Sequence, residues 1–441
     1  MALRLVKSIM PPGYFSGNIL TAPIGSVQTR TIISPSSGSR MVEGGAAEFV
    51  LPSGGDGVGV LNPDQCNLCL RLKVIDNDAK VTLFRLIRTC RLIQVGRNPI
   101  SETREVGLLT DAEILIHASS DSVSSGKHSV LYGYTNDFKG ENISAGDWAQ
   151  QYVPIMCEPF ISSIQLPLFA VSPELTVEVT FGTYATAFTN VTPANDFNVE
   201  AGSLGGEMEI NQTLLPLSVR NEIKNWIDAN GVVYWPAKNF EHHVRTVVQL
   251  QGSDNVPMPF KFRSLNQILV LPQITGGTGA NVPAGGYREK SAPFVYRRLF
   301  GNEYFFKLGA LRYPQDAVKS VDPITGAKGK REYFQMMSTI EQVKAYTEAP
   351  AFDFDEFTKD TENDTDIGTY MIYENFTPVV NHSHVLLSGI TTIGLSPFDF
   401  HFRKDGTAQT LNFDFHFFAV NDMLFSLSRF GSCGFSDLFF S

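Results

Sequence analysis

Apolar side chains recur at every second position through most of this chain. In LTVEVTF (175–181), Leu175, Val177, Val179 and Phe181 share one face, and Thr176, Glu178 and Thr180 share the other. That is the period of a half-buried β-strand, with β-branched residues where a pleated surface favours them. The same pattern predicts strands at 47–52 (AEFVLP), 246–251 (TVVQLQ), 266–272 (NQILVLP), 369–373 (TYMIY) and 381–390 (NHSHVLLSGI). In LNFDFHFFAV (411–420), Leu411, Phe413, Phe415 and Phe417 point one way, and Asn412, Asp414 and His416 the other. Helical spacing is rare. SVRNEIKNWIDANG (218–231) has Ser218 as an N-cap, a stripe of Val219, Ile223 and Trp226/Ile227, and Gly231 to close it. DAEILIHASS (111–120) is the second predicted helix.

Long connections interrupt the strands: 34–40, 52–59, the glycine-rich 275–293 and the acidic 353–368. Connections of this length in a compact domain serve function or touch neighbours. No tandem repeat of 20–50 residues is present. A looser two-fold plan is visible instead: a strand-rich block to about Pro216, the predicted helix, and a second strand-rich block to the end. Each block has the size of one large β-domain.

Composition sharpens this picture. The 441 residues are 43% hydrophobic and 18% charged, enough apolar material for a large core. The net charge of −10 argues against a chain whose main task is gripping a phosphate backbone. The N-terminal MALRLVKSIMPP has too short an apolar stretch for a secretory signal, and no run is long enough to cross a bilayer. The sequons at Asn190 and Asn375 are accordingly read as chance.

Five cysteines, at 66, 69, 90, 157 and 433, form no disulfide framework and point to a reducing site of folding. Cys66 and Cys69 invite a zinc or redox reading. On a strand, however, QCNLCLRLKV puts Cys66 with Leu68, Leu70 and Leu72, and Cys69 on the opposite face, so the two cannot share one ion. Cys66 is therefore expected in a core and Cys69 partly exposed. A redox pair would open a helix, and this text continues as a strand.

Other candidates fail on similar grounds. His382 and His384 lie two apart on one strand face, without an evident further ligand; His242 and His243 are adjacent and point apart. In the acidic loop, which carries seven carboxylates from Asp353 to Asp366, an EF-hand register starting at Asp360 meets Thr365 and Met371 where Gly and Glu are required. TGAKGKRE (325–332) lacks the GxxxxGK[ST] spacing and reads as a basic turn. Cys157 has no nucleophile context, no GxSxG elbow occurs, and no carboxylate pair stands out. No catalytic, cofactor-binding or metal-binding residue is predicted, no cofactor is expected, and the chain is read as not an enzyme.

The order of features carries more information than any one motif. AEFVLPSGGDGVGVLNPDQCNLCLRLKVID opens the first block; VTLFRLIRTCRLIQVGRNPIS and VPIMCEPFISSIQLPLFAVSPELTVEVTF follow. SVRNEIKNWIDANGVVYW bridges to FKFRSLNQILVLPQ, and the chain ends LSPFDFHFRKDGTAQTLNFDFHFFAVNDMLFSLSRFGSCGFSDLFFS. This succession resembles the double-jelly-roll major capsid proteins of the polinton, virophage and large eukaryotic DNA virus lineage. Two places depart from the family pattern: Asp414-Phe415 replaces Ser-Arg after Leu-Asn-Phe, and SLSRFGS replaces an asparagine-rich strand.

The resemblance implies an all-β chain of two tandem eight-stranded antiparallel jelly rolls with a short linking helix and long surface loops. Its parts are expected to be an N-terminal arm over 1–26, a first roll over 27–217, a helix over 218–230 and a second roll over 231–441. It further implies a homotrimer forming a pseudo-hexagonal capsomer of an icosahedral virion shell. The expected partners are neighbouring capsomers, penton and minor capsid proteins, with no direct nucleic-acid contact and no internal-membrane contact. Synthesis is expected in the host cytoplasm, and assembly there or in the nucleus. The rival readings are a single-jelly-roll capsid or spike protein with large insertions, and a carbohydrate-binding or hydrolytic β-sandwich. The three tryptophans, at 148, 226 and 235, are too scattered to favour the last.

Overall fold

The computed structural model describes residues 25–36, 41–75, 79–96, 98–117, 127–133, 140–189, 199–200, 202–247, 253–277, 303–319, 329–344, 357, 370–377, 389–394, 397–403 and 411–436. Among the described residues, eight principal strands precede the linking helix. They are β1 (Val27–Ile33), β2 (Ala46–Val50), β3 (Asn67–Lys73), β4 (Ile87–Gln94), β5 (Ser101–Arg104), β6 (Trp148–Val153), β7 (Leu175–Phe181) and β8 (Gly205–Leu214). One sheet runs β1-β8-β3-β6 and the other β2-β7-β4-β5, every pairing antiparallel. Eight more follow: β9 (Val232–Val247), β10 (Ser253–Pro257), β11 (Leu265–Gly277), β12 (Glu303–Leu308), β13 (Leu311–Lys319), β14 (Ile372–Asn375), β15 (Phe398–Arg403) and β16 (Leu411–Ser428). These form β9-β16-β11-β14 and β10-β15-β12-β13.

Numbered within its own half, each set therefore reads 1-8-3-6 in one sheet and 2-7-4-5 in the other. The halves have the same topology, that of the jelly roll: two facing antiparallel sheets joined by Greek-key connections. Short pieces extend this frame. Val60–Leu61 pairs with β8, Cys433–Ser436 pairs with β16, and Ala79–Val81, Glu141–Ile143 and Phe188–Thr189 make a small separate sheet.

Period two builds both sandwiches. In β7, Leu175, Val177, Val179 and Phe181 are buried and the residues between them half-buried. In the second roll the inward row is aromatic. Phe400 and Phe402 of β15 face Phe415 and Phe417 of β16 across the sandwich, with ring centroids 5.0–6.2 Å apart. The other face of β16 is covered too. Thr246 Oγ1 donates to Asp414, His242 stacks on His416 with ring nitrogens 3.0 Å apart, and Ser264, Asn266 and Lys238 all reach Asp422. One apolar cluster runs through both rolls and the linking helix.

Among the described residues, four helices accompany the strands: α1 (Val106–His117), α2 (Lys127–Tyr132), α3 (Leu217–Asn230) and α4 (Lys330–Lys344). The predicted linking helix forms, and Gly231 closes it at φ 76° with its N–H on the Ile227 carbonyl. Its start differs from expectation. Pro216, not Ser218, is the N-cap, and no side chain caps the helix. The fixed φ of proline presets the entry, and the Arg220 N–H closes the first turn on the Pro216 carbonyl. The second predicted helix begins earlier, at Val106, and is buried on almost every side, its Asp111 paired with the buried Arg85 at 2.8 Å. Helix α4 was not predicted. Gly329, at φ 76°, precedes it, so 330–332 of the supposed basic turn are helical while 325–328 lie outside the described residues; Glu332, Met336 and Ile340 lie on its buried row. Of the predicted strand 246–251 the first two residues end β9, and 248–251 lie outside the described residues. Of the predicted strand 381–390 only the last two residues lie within the described set, and Ile390 bridges to Leu265.

Candidate functional site

The two rolls meet at a seam that holds most of the unusual chemistry. Strand β5 ends one sheet of the first roll, β9 ends one sheet of the second, and the two lie against each other. Two clamps cross between the rolls. The first is the side chain of Gln94 at the end of β4. Its amide nitrogen donates to the carbonyls of Pro173 (2.8 Å) and Gly431 (3.1 Å), and its oxygen accepts from the Cys433 N–H (3.0 Å). Gly431 belongs to the turn after β16, and its carbonyl also accepts from the Ser172 N–H at 3.0 Å. With φ at 80°, and with an added Cβ falling 2.4 Å from the Ser172 nitrogen, position 431 accepts glycine alone.

The second clamp is Glu158, fully buried beside β9. Its carboxylate accepts from the Ser162 hydroxyl, from the Ser162 N–H (3.3 Å) and from the Lys238 N–H (3.3 Å). Lys238 lies on the free edge of β9, so a roll-one loop satisfies an edge donator that has no strand partner; the Ser162 hydroxyl takes the same N–H at 2.9 Å. Burial outweighs these hydrogen bonds and pushes the Glu158 carboxyl up to about 7. Helix α3 is held to the first roll by Arg220, whose guanidinium donates to the carbonyls of Asp56 (2.9 Å) and Gly55 (2.6 Å) and lies 5.1 Å over the Phe169 ring. Beside this helix the seam opens into a groove of about 650 Å3, whose lining includes Phe169, Lys224, Ile227, Arg429 and Phe430.

The Glu158 site makes a signed prediction. Its folded-state pKa lies above the ordinary carboxylate value of about 4.3. Between those two values the folded chain holds a proton that the unfolded chain has released, so this stabilisation is complete below the unfolded value and is lost as pH rises through about 7. The difference in melting temperature between the wild type and Glu158→Gln is expected to grow from pH 5 to pH 8, the wild type losing ground. A constant difference across that range contradicts the assignment. Glu374, buried on β14 against Gln335 and pushed up to about 8 by burial, adds a change of the same sign that is common to both proteins.

No protein-family model and no curated protein matches this chain. Solved structures do. PBCV-1 VP54, fitted into a cryo-EM reconstruction of the virophage Sputnik, is similar at a TM-score of 0.62 and 10% identity over 95% of this chain and 99% of that one. The mavirus major capsid protein is similar at 0.56 and 10% identity, over 98% and 95%. A cryo-EM structure of the Sputnik virophage gives 0.56 and 11% identity, over 96% and 90%. The chain has the double-jelly-roll fold.

Within the double jelly roll, the cysteine and the His242–His243 candidates can be placed. Cys66 is in the core, and burial pushes its thiol up to about 11. Cys69 is on the opposite face, as the strand period requires, but it is 4% exposed rather than partly exposed. The Gln150 amide on neighbouring β6 lies 3.6 Å from its sulfur, which explains the cover. All five cysteines are buried, and none forms a disulfide. His242 and His243 point apart, one to His416 and Phe418, the other to Phe260 and Phe417. His382, His384 and the acidic loop, apart from Phe357, lie outside the described residues, as does the arm up to residue 24. Among the described residues, no three His, Cys, Asp or Glu gather as a metal site, and no helix is long and apolar enough to cross a membrane. Sequence reasoning missed the seam residues Gln94, Glu158, Arg220 and Gly431. The cis Glu158–Pro159 and Ser172–Pro173 bonds flank the same region, and only the proline-rich text at 154–173 hinted at irregular backbone there.

Proposed function

We propose that this chain is a viral major capsid protein with a structural, non-catalytic task. Its copies trimerise into a pseudo-hexagonal capsomer, and capsomers tile an icosahedral shell. One observation carries the reading: the same 1-8-3-6 and 2-7-4-5 strand order occurs twice in one chain, the two rolls standing edge to edge. Three such chains supply six similar rolls, a shape that tiles a closed surface. The fold likeness to viral capsid structures over nearly the whole chain supports this.

The division of labour belongs to the same proposal. Residues 1–26 act as an arm, 27–217 and 231–441 as the rolls, and 218–230 as the link between them. Neighbouring capsomers, penton and minor capsid proteins are the partners, while genome and internal membrane are left to other proteins. The virion is the site of action, after synthesis in the host cytoplasm. Light scattering on the purified protein at micromolar concentration is expected to give three times the 48.6 kDa chain mass. A clean monomer contradicts the proposal.

A further inference from the structure

We propose that the segment 1–24 of this chain folds back into the seam groove beside α3 on its own molecule and fills it. The proposal deepens the arm assignment above and stands apart from the trimeric one, because the docking lies within one chain and is expected whether or not copies associate.

The point where the segment joins the fold selects the groove. Gly25 is the first described residue, and a Cβ built on it would lie 3.6 Å from Cγ of Pro216, the N-cap of α3. The segment therefore meets the first roll at the N-terminal end of α3. The same helix walls the groove further along, at Lys224, Ile227 and Asp228. At the helical rise, Asp228 is about 18 Å from Pro216. Twenty-four residues span up to about 80 Å when extended and cover that distance with chain to spare.

The chemistry of the groove matches the segment. Two large apolar side chains on its rim, Val95 and Phe430, are 65% and 73% exposed. Apolar surface of this kind around a concavity marks a place of contact. The charged groups differ in what they meet. Lys224 and Arg429 are turned onto ring faces, the Lys224 Nζ 5.9 Å from the Phe169 centroid and the Arg429 guanidinium 4.6 Å from that of Phe430. The carboxylates of Glu174 and Asp228, also in the lining, have neither an ion pair nor a hydrogen bond among the described residues. The groove thus calls for cations set among apolar side chains. The segment carries Arg4 and Lys7 between Leu3, Leu5, Val6, Ile9 and Met10, and the first acidic residue of the chain is Glu43. DLFFS, after Ser436, brings an aspartate and no cation, the wrong sign for those two carboxylates. Tethering does the rest: a segment joined to its site acts at a millimolar local concentration, so modest contacts hold it.

A photo-reactive benzoylphenylalanine at position 430 tests the docking in the full-length chain. Irradiation is expected to join it to a residue of 1–24, identified by mass spectrometry of the digest. The product is expected to keep the single-chain mass of 48.6 kDa on a denaturing gel. Glu174→Lys with Asp228→Lys is expected to cut the yield at least fivefold. The same group at position 334, 70% exposed on α4, is expected to capture none of the segment. Thermal melts check that each variant folds, and position 95 takes the label should position 430 not tolerate it. Capture of 437–441 or of any other segment, a two-chain product, no capture at all, or a yield unmoved by the charge reversal overturns the inference. None of these results bears on the trimeric reading, which light scattering decides.

Discussion

Removing residues 411–441 is expected to leave a chain that does not reach a soluble folded state. β16 is the central strand of its sheet, laddered to β9 from Val232–Ser428 to Val247–Phe413 on one side and to β11 on the other. Its deletion leaves β9 without a partner strand and β11 paired with β14 alone. It also removes Phe415, Phe417, Phe418, Phe425 and Leu427, all fully buried. At about 1.5–3 kcal/mol for each buried side chain, the loss is roughly 7–15 kcal/mol, the size of a whole domain's net stability. The truncation takes away Gly431 and Cys433 as well, and with them the roll-two side of the Gln94 clamp. Soluble yield and a melting scan check this. A soluble truncation with a cooperative transition contradicts the central place given to β16.

The second large effect is expected at the seam. Gly431→Ala forces a side chain into the left-handed region and places its Cβ 2.4 Å from the Ser172 backbone nitrogen. The conformation costs about 1–2 kcal/mol and the crowding about 1–3 more. Gly96 is a built-in control. It has nearly the same φ, 77°, but nothing within 4 Å of the added Cβ. Gly96→Ala is expected to cost only the conformational part. Melting temperatures should therefore fall by several degrees more for Gly431→Ala than for Gly96→Ala. Gln94→Leu, which strands the Cys433 N–H, should follow Gly431→Ala at about 1–3 kcal/mol. Equal effects of the two glycine substitutions contradict the tight packing of the rolls at this turn.

Much of the sandwich was legible in the sequence. LTVEVTF alternates because one face of β7 meets a core and the other does not, and the FDF and FHF runs of β15 and β16 place their phenylalanines inward by the same rule. Legibility weakened wherever burial is not one-sided. β9 hides its sixteen residues behind a proline and an irregular burial pattern, because it is an edge strand covered in part by the other roll. Helix α4 escaped notice because its buried row opens on Glu332, which accepts from the Tyr370 hydroxyl at 3.0 Å, and because a Gly-Lys run precedes it. Alternation told which way Cys69 points but not that Gln150 would cover it.

The seam was out of reach altogether. Gln94 and Gly431 are 337 positions apart, and Glu158 and Lys238 are 80 apart. No local period reports on a partner so distant. A lone glutamine at a strand end and a glycine near the C-terminus carry no pattern until the rolls are placed side by side. What the sequence order conveyed was coarser, that two sandwich-like blocks flank one helix. The strand order within each block became visible only through the pairings.

Class averages of the purified protein by electron microscopy test the central claim most directly, because they count rolls and chains in one image. The account predicts a particle of three chains with a six-lobed outline and two upright sandwiches per chain. A particle with one sandwich per chain, or a fivefold ring, contradicts it.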